Sequence, residues 1–243
     1  MIRLHPHQHS HHDHVTPYDR AGWSDVEITA LLASGEHRRE LITFFGEEEY
    51  RELARLARQA LRTPPADAPR VLVVPGIMGS QLGFERRAPL PKDILWLDPI
   101  DIGVGRLQSL RFPGPDGLRA FGVILHSYLR LGLNLRAAGF AVAFHDYDWR
   151  QGIDVLGREL AERLRCEPCS RIAIVAHSMG GLVSRAALAL PGGEKVERLI
   201  LLGTPNFGSF AAVQALRGTY AVVRKIARLA PEEASAESLV SEV

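Results

Sequence analysis

Cysteine is nearly absent from these 243 residues: Cys166 and Cys169 are the only two. A disulfide-stapled secreted scaffold needs several more in a much shorter chain, so stability must come from an apolar core. Long hydrophobic runs are missing too. The longest, residues 71–74, 172–176 and 199–202, fall far short of the roughly 18–20 residues that cross a bilayer, so no transmembrane segment is expected. The first residues lack a basic patch followed by an apolar stretch, which makes the cytoplasm the expected compartment. Charge of one sign is not in excess: 29 Lys and Arg face 28 Asp and Glu, for a net charge of +1. Taken over the whole chain, that balance offers no footprint for nucleic acid or an anionic membrane. There is no internal repeat.

The composition that remains, 46% hydrophobic and 23% charged with 22 glycines and 15 prolines, is that of one globular domain with a small attachment. Residues 1–20 carry His5, His7, His9, His11, His12 and His14 among polar residues. They read as a disordered tail without fixed geometry, and no metal ligand is assigned. Residues 21–62 read as a helical N-terminal cap. Ser24 and Glu27 are spaced for a capping box, Ile28, Leu31 and Leu32 repeat at helical spacing up to Gly35, and a second helix covers residues 47–62. Residues 63–69 hold three prolines and form the linker.

Residues 70–243 form the main domain. Apolar runs at 71–74, 140–144, 171–176 and 198–202 read as buried strands, alternating with helical patterns at 118–138, 154–165 and 181–190. That alternation predicts an α/β fold with a doubly wound, mostly parallel sheet. Residues 210–229 fit lid-type helices or core packing equally well.

Two segments could carry chemistry. Ala176-His177-Ser178-Met179-Gly180-Gly181 lies between a strand and a helix, the position of a nucleophile elbow, with small residues two before and two after the serine. Pro75-Gly76-Ile77-Met78-Gly79-Ser80 follows the first strand as a glycine-rich loop. It has neither the GK[ST] ending of a phosphate loop nor G-x-G-x-x-G spacing. In an α/β hydrolase such a loop donates one backbone N–H to an oxyanion hole and the residue after the nucleophile donates the other, here Met78 and Met179. Cys166-Glu167-Pro168-Cys169 is a lone C-x-x-C between a helix and a strand and reads as a plain loop.

Four blocks in order give a resemblance: residues 75–80, Tyr147-Asp148-Trp149-Arg150, residues 176–181, and Gly203-Thr204-Pro205-Asn206-Phe207-Gly208-Ser209. Over residues 70–210 the chain resembles the lecithin:cholesterol acyltransferase-like, lipase/acyltransferase branch of the α/β hydrolases. The resemblance implies a serine-dependent lipid acyltransferase or lipase/esterase, acting through an acyl-enzyme on Ser178 without a cofactor. Asp148 and Arg150 read as a buried pair that holds a loop, and Gly203-Thr204-Pro205 as a tight turn near the pocket floor.

A serine nucleophile needs a histidine base and a carboxylate, which in this fold follow the serine in the chain. No histidine follows His177 and no aspartate follows Asp154; only glutamates lie beyond Ser178. The expectation is therefore a chain that lacks the last two strands of the fold. The alternative is a catalytically dead remnant that acts, if at all, as an interaction module. In either case the strand at 198–202 is expected to be an apolar edge open to self-association.

Overall fold

The computed structural model describes residues 23–62, 67–87, 92–96, 105–221 and 223–224. The His-rich tail, most of the proline linker and the final residues lie outside that set. Four parallel strands form the central sheet: β1 (Arg70–Val74), β5 (Ala141–Phe144), β6 (Ile172–His177) and β7 (Val196–Leu202), in the order β5-β1-β6-β7. A smaller antiparallel sheet has the order β3-β2-β4, from β2 (Ser80–Phe84), β3 (Asp93–Trp96) and β4 (Leu118–Val123). Seven α-helices occur among the described residues: α1 (Asp25–Ser34), α2 (Arg38–Phe45), α3 (Glu47–Ala60), α4 (Leu125–Ala137), α5 (Ile153–Cys166), α6 (Met179–Leu188) and α7 (Phe210–Leu216). This is the expected α/β class, a parallel sheet flanked by helices.

Alternation along β1 divides the core. Val71 and Val73 face one way and join Ile28, Leu32, Leu53, Leu129 and Leu133 of α1, α3 and α4. Leu72 and Val74 face the other way and join Leu156, Leu160 and Leu164 of α5 with Val183 and Ala187 of α6. Residues 156, 160 and 164 repeat every four positions and are fully buried. Each contributes roughly 1.5–3 kcal/mol through area removed from water. The N-terminal helices thus share one layer over the sheet with α4, and the Arg136–Asp25 ion pair ties α1 to α4.

The capping box at the start of α1 forms as its spacing requires. The Ser24 N–H donates to Glu27 Oε2 at 2.7 Å, and the Glu27 N–H donates to Ser24 Oγ at 3.2 Å. The Ser24 N–H and hydroxyl, both donating to Glu27 Oε2 at 2.7 Å, hold the Glu27 carboxyl below its ordinary pKa.

Two expectations need correction. The segment read as one helix over 118–138 is a strand, β4, followed by α4. Gly122 sits within it at φ 125°, a conformation no helix contains. The strand expected to be buried on both faces, β7, is covered on one side only: Ile200 and Leu202 each keep 42% of their surface exposed. β7 is the outermost strand of its sheet among the described residues.

Candidate functional site

Ser178 sits between β6 and α6 at φ 51°, ψ −123°, far from any helical or extended conformation. A non-glycine residue held there stores on the order of 1–3 kcal/mol, which the surroundings must offset. They hold it at both ends: the Ser178 N–H donates to Leu202 O at 2.8 Å, and Ser178 O accepts from the Gly181 N–H at 3.0 Å. Serine is a good N-cap, yet this hydroxyl makes no capping bond. Among the described residues no side chain hydrogen-bonds it. Ala176 is fully buried, and a Cβ on Gly180 would lie 2.2 Å from Pro75 O. The glycine of the elbow is therefore demanded by the close approach of α6 to β1.

The loop at 75–80 faces the elbow, and a Cβ on Gly76 would stand 3.0 Å from the Ser178 Cβ. Residues 76–79 make a β-turn closed by the Gly79 N–H on Gly76 O at 3.0 Å, with Met78 in the left-handed region at φ 60°. Its peptides are held from all sides. Pro75 O accepts from Tyr147 Oη at 2.6 Å, Met78 O from Trp96 Nε1 at 2.9 Å, and Ser80 O from Trp149 Nε1 at 3.1 Å. Gly79 O accepts from the Ile124 N–H at 2.9 Å, and Ser80 Oγ from the Tyr147 N–H at 3.1 Å. Neither the Met78 nor the Met179 N–H donates to an acceptor among the described residues. Met179 opens the ten-residue α6, so its N–H also sits at the positive end of a helix dipole. Two uncommitted donors on a rigid frame near a serine are what stabilisation of an oxyanion requires.

Asp148 and Arg150 complete the frame. Arg150 Nε and Nη2 bond the two Asp148 oxygens at 2.8 and 2.7 Å, and Arg150 Nη1 donates to Leu110 O and Arg111 O at 3.3 and 3.0 Å. This pair holds a loop, as its spacing suggested, and Trp149 between them holds the turn. After β7, Gly203 turns at φ 61°, the Asn206 N–H donates to Thr204 O at 2.9 Å, and Arg185 Nη1 donates to Asn206 Oδ1 at 2.7 Å.

Three histidines stand in or near the α/β core, and none is hydrogen-bonded to the Ser178 hydroxyl. His126 is exposed and its ring lies beside those of Phe44 and Phe45. His177 is exposed, with Nδ1 2.9 Å from Tyr128 Oη. Tyr128 Oη also accepts the Gly76 N–H at 2.9 Å, and which of Tyr128 Oη and His177 Nδ1 donates to the other depends on the histidine tautomer. His145 follows β5, two strand positions from β6 and so roughly 10 Å away in the sheet.

His145 is 6% exposed, and its Nε2 has no partner among the described residues. Burial, with the Arg163 guanidinium beside it, holds its pKa down to about 3. In an unfolded chain it titrates at about 6.5. Between those values the unfolded state takes the proton and the native state does not, so stability falls as pH falls. The slope is at most about 1.4 kcal/mol per pH unit. Chemical denaturation at about pH 6.5 and 5 should show the wild type losing about 1–2 kcal/mol more than His145→Phe. Equal losses in the two proteins would refute this account of His145.

A family model described as a PGAP1-like alpha/beta domain matches residues 155–241. The match runs from α5 through β6, the Ser178 elbow, α6 and β7 to α7, and it agrees with an α/β fold of serine-hydrolase type. No curated protein and no solved structure matches the chain. Among the described residues, no group of three or more His, Cys, Asp or Glu side chains could hold a metal ion, and no helix is long and apolar enough to cross a membrane. Sequence reasoning does not single out Trp96 and Tyr128, and it leaves the targets of Tyr147 and Trp149 unread. Trp96, Tyr128, Tyr147 and Trp149 are aromatic side chains whose polar atoms all reach residues 75–80 or His177.

Proposed function

We propose that the chain is a serine-dependent lipid esterase or acyltransferase of the lecithin:cholesterol acyltransferase-like kind. Ser178 is its nucleophile, and the Met78 and Met179 N–H groups are its oxyanion donors. The observation that carries this reading is the strained backbone of Ser178, held with its hydroxyl unused beside two uncommitted N–H groups. In the first half-reaction Ser178 Oγ adds to the ester carbonyl carbon. The carbon–oxygen bond to the alcohol breaks, and the alcohol leaves with the proton that the serine gives up. Water or a second alcohol then adds to the acyl carbon, the bond to Ser178 Oγ breaks, and the acceptor's proton returns to that oxygen.

A second reading has its own support. Among the described residues no histidine is hydrogen-bonded to the Ser178 hydroxyl: His177 Nδ1 meets Tyr128 Oη, and His145 Nδ1 lies 3.5 Å from Arg163 Nη1. On that reading the protein keeps the fold and has lost the reaction. A fluorophosphonate probe separates the two. Incubation of the 243-residue chain beside its Ser178→Ala variant, followed by intact mass, should show one covalent adduct on the wild type and none on the variant. No labelling of the wild type above the variant would establish the non-catalytic reading instead.

A further inference from the structure

The apolar groups that escape the core are not scattered; many of them cluster where the chain leaves the Ser178 elbow. Leu202 O is bonded to the Ser178 N–H, so the segment after β7 starts beside the nucleophile. It carries Phe207 at 106% exposure, then Phe210 at 87%, Val213 at 53% and Leu216 at 75%. The last three share one face of α7 at a three-residue spacing, and no residue of α7 is buried. Ser209 caps this helix, its Oγ accepting the Ala211 N–H at 3.1 Å, so the exposed face belongs to an ordered element. An apolar patch of this size, rimmed by polar groups, marks a site of association.

The charge around the patch identifies what it fits. Among the described residues that follow β7, 203–221 and 223–224, the charged side chains are Arg217 and Arg224, both basic. The whole chain has a net charge of +1, so this one segment concentrates positive charge that acidic residues balance elsewhere. Both arginines are exposed. A second copy of the same segment would bring like charges together. An anionic bilayer surface would instead pair the basic groups with lipid phosphates and receive the phenylalanines at its acyl boundary.

We propose that Phe207, α7, Arg217 and Arg224 form a docking surface for an anionic lipid bilayer. The proposal deepens the lipid-ester reading, because it would bring the serine to the interface where such substrates reside, but its physical basis is independent of catalysis. The test is co-sedimentation of the full chain with phosphatidylcholine vesicles, with and without phosphatidylserine, at low and physiological salt. The Ser178→Ala variant is run in parallel, and light scattering records the oligomeric state. Wild type and Ser178→Ala should bind the phosphatidylserine vesicles equally, and more weakly as salt rises. Phe207→Ser/Phe210→Ser and Arg217→Glu/Arg224→Glu should each reduce binding by about tenfold or more while keeping the wild-type circular dichroism.

Absence of vesicle binding by both wild type and Ser178→Ala would overturn the proposal, as would binding that neither double variant weakens. A dimer that Phe207→Ser/Phe210→Ser dissociates, without lipid binding, would assign the surface to a second copy. A monomer that this variant destabilises, again without lipid binding, would assign it to another segment of the chain. Because Ser178→Ala reads docking alone and the fluorophosphonate adduct reads the serine alone, failure of one proposal is distinguishable from failure of the other.

Discussion

Arg150→Ala is expected to cost about 3–5 kcal/mol of stability and to lower the melting temperature by about 10 °C or more. Arg150 and Asp148 keep only 6% and 10% of their side-chain surface exposed. Truncating the arginine strands a buried carboxylate and removes the donor from Leu110 O and Arg111 O. The expected loss is that of an uncompensated buried charge, and it exceeds any value one would assign to the intact pair. Arg158–Asp154 is the internal control: the same residue types meet at 3.0 Å, but with 61% and 71% of their surfaces exposed. Arg158→Ala should change stability by about 0.5 kcal/mol or less. Asp148→Asn with Arg150→Met should recover part of the loss, since it removes both charges. Thermal melts in which Arg150→Ala behaves like Arg158→Ala would sink this account of the Asp148–Arg150 pair.

That pair shows what a sequence discloses and where it stops. Tyr147-Asp148-Trp149-Arg150 was legible as a structural block, because charge and indole in alternation have few uses inside a domain. Its targets were not legible, since Tyr147 and Trp149 reach back about 70 residues to Pro75 and Ser80. The elbow was legible because its signal is local: small residues at 176 and 180 and a strand and helix at fixed offsets. The turn conformation of Met78 was not, because Trp96 and Ile124 help to impose it from elsewhere in the chain. Strands β2 and β3 escaped for a related reason. Gly83 weakens the strand pattern, yet a Cβ there would meet Asp93 O at 2.1 Å, so antiparallel pairing itself demands the glycine. The apolar run at 199–202 shows the converse, for it records a capacity for burial and says nothing about which neighbour covers it.

Gly180→Ala isolates the contact on which the elbow depends. The added methyl carbon would fall 2.2 Å from Pro75 O and 2.7 Å from Val74 O, both backbone atoms of the first strand and its exit. Neither can yield easily: Val74 is paired with Ala176 in the sheet, and Pro75 O is held by Tyr147 Oη at 2.6 Å. The remaining relief is for α6 to shift away from β1, carrying Ser178 and the Met179 N–H with it. Overpacking against backbone belongs at the top of its usual range, about 3 kcal/mol. A displacement of about 1 Å at a reacting group costs on the order of a hundredfold in rate, so fluorophosphonate labelling of Ser178 should fall by about that factor in whatever fraction stays folded. Gly139→Ala provides the contrast. Gly139 sits at φ 93° with nothing within 4 Å of its added carbon, so it bears conformational strain of about 1 kcal/mol and no clash. Labelling at the wild-type rate in Gly180→Ala would mean that the serine does not depend on the seating of α6 against β1. A large loss there beside a small one in Gly139→Ala would tie the reactivity of Ser178 to that one backbone contact.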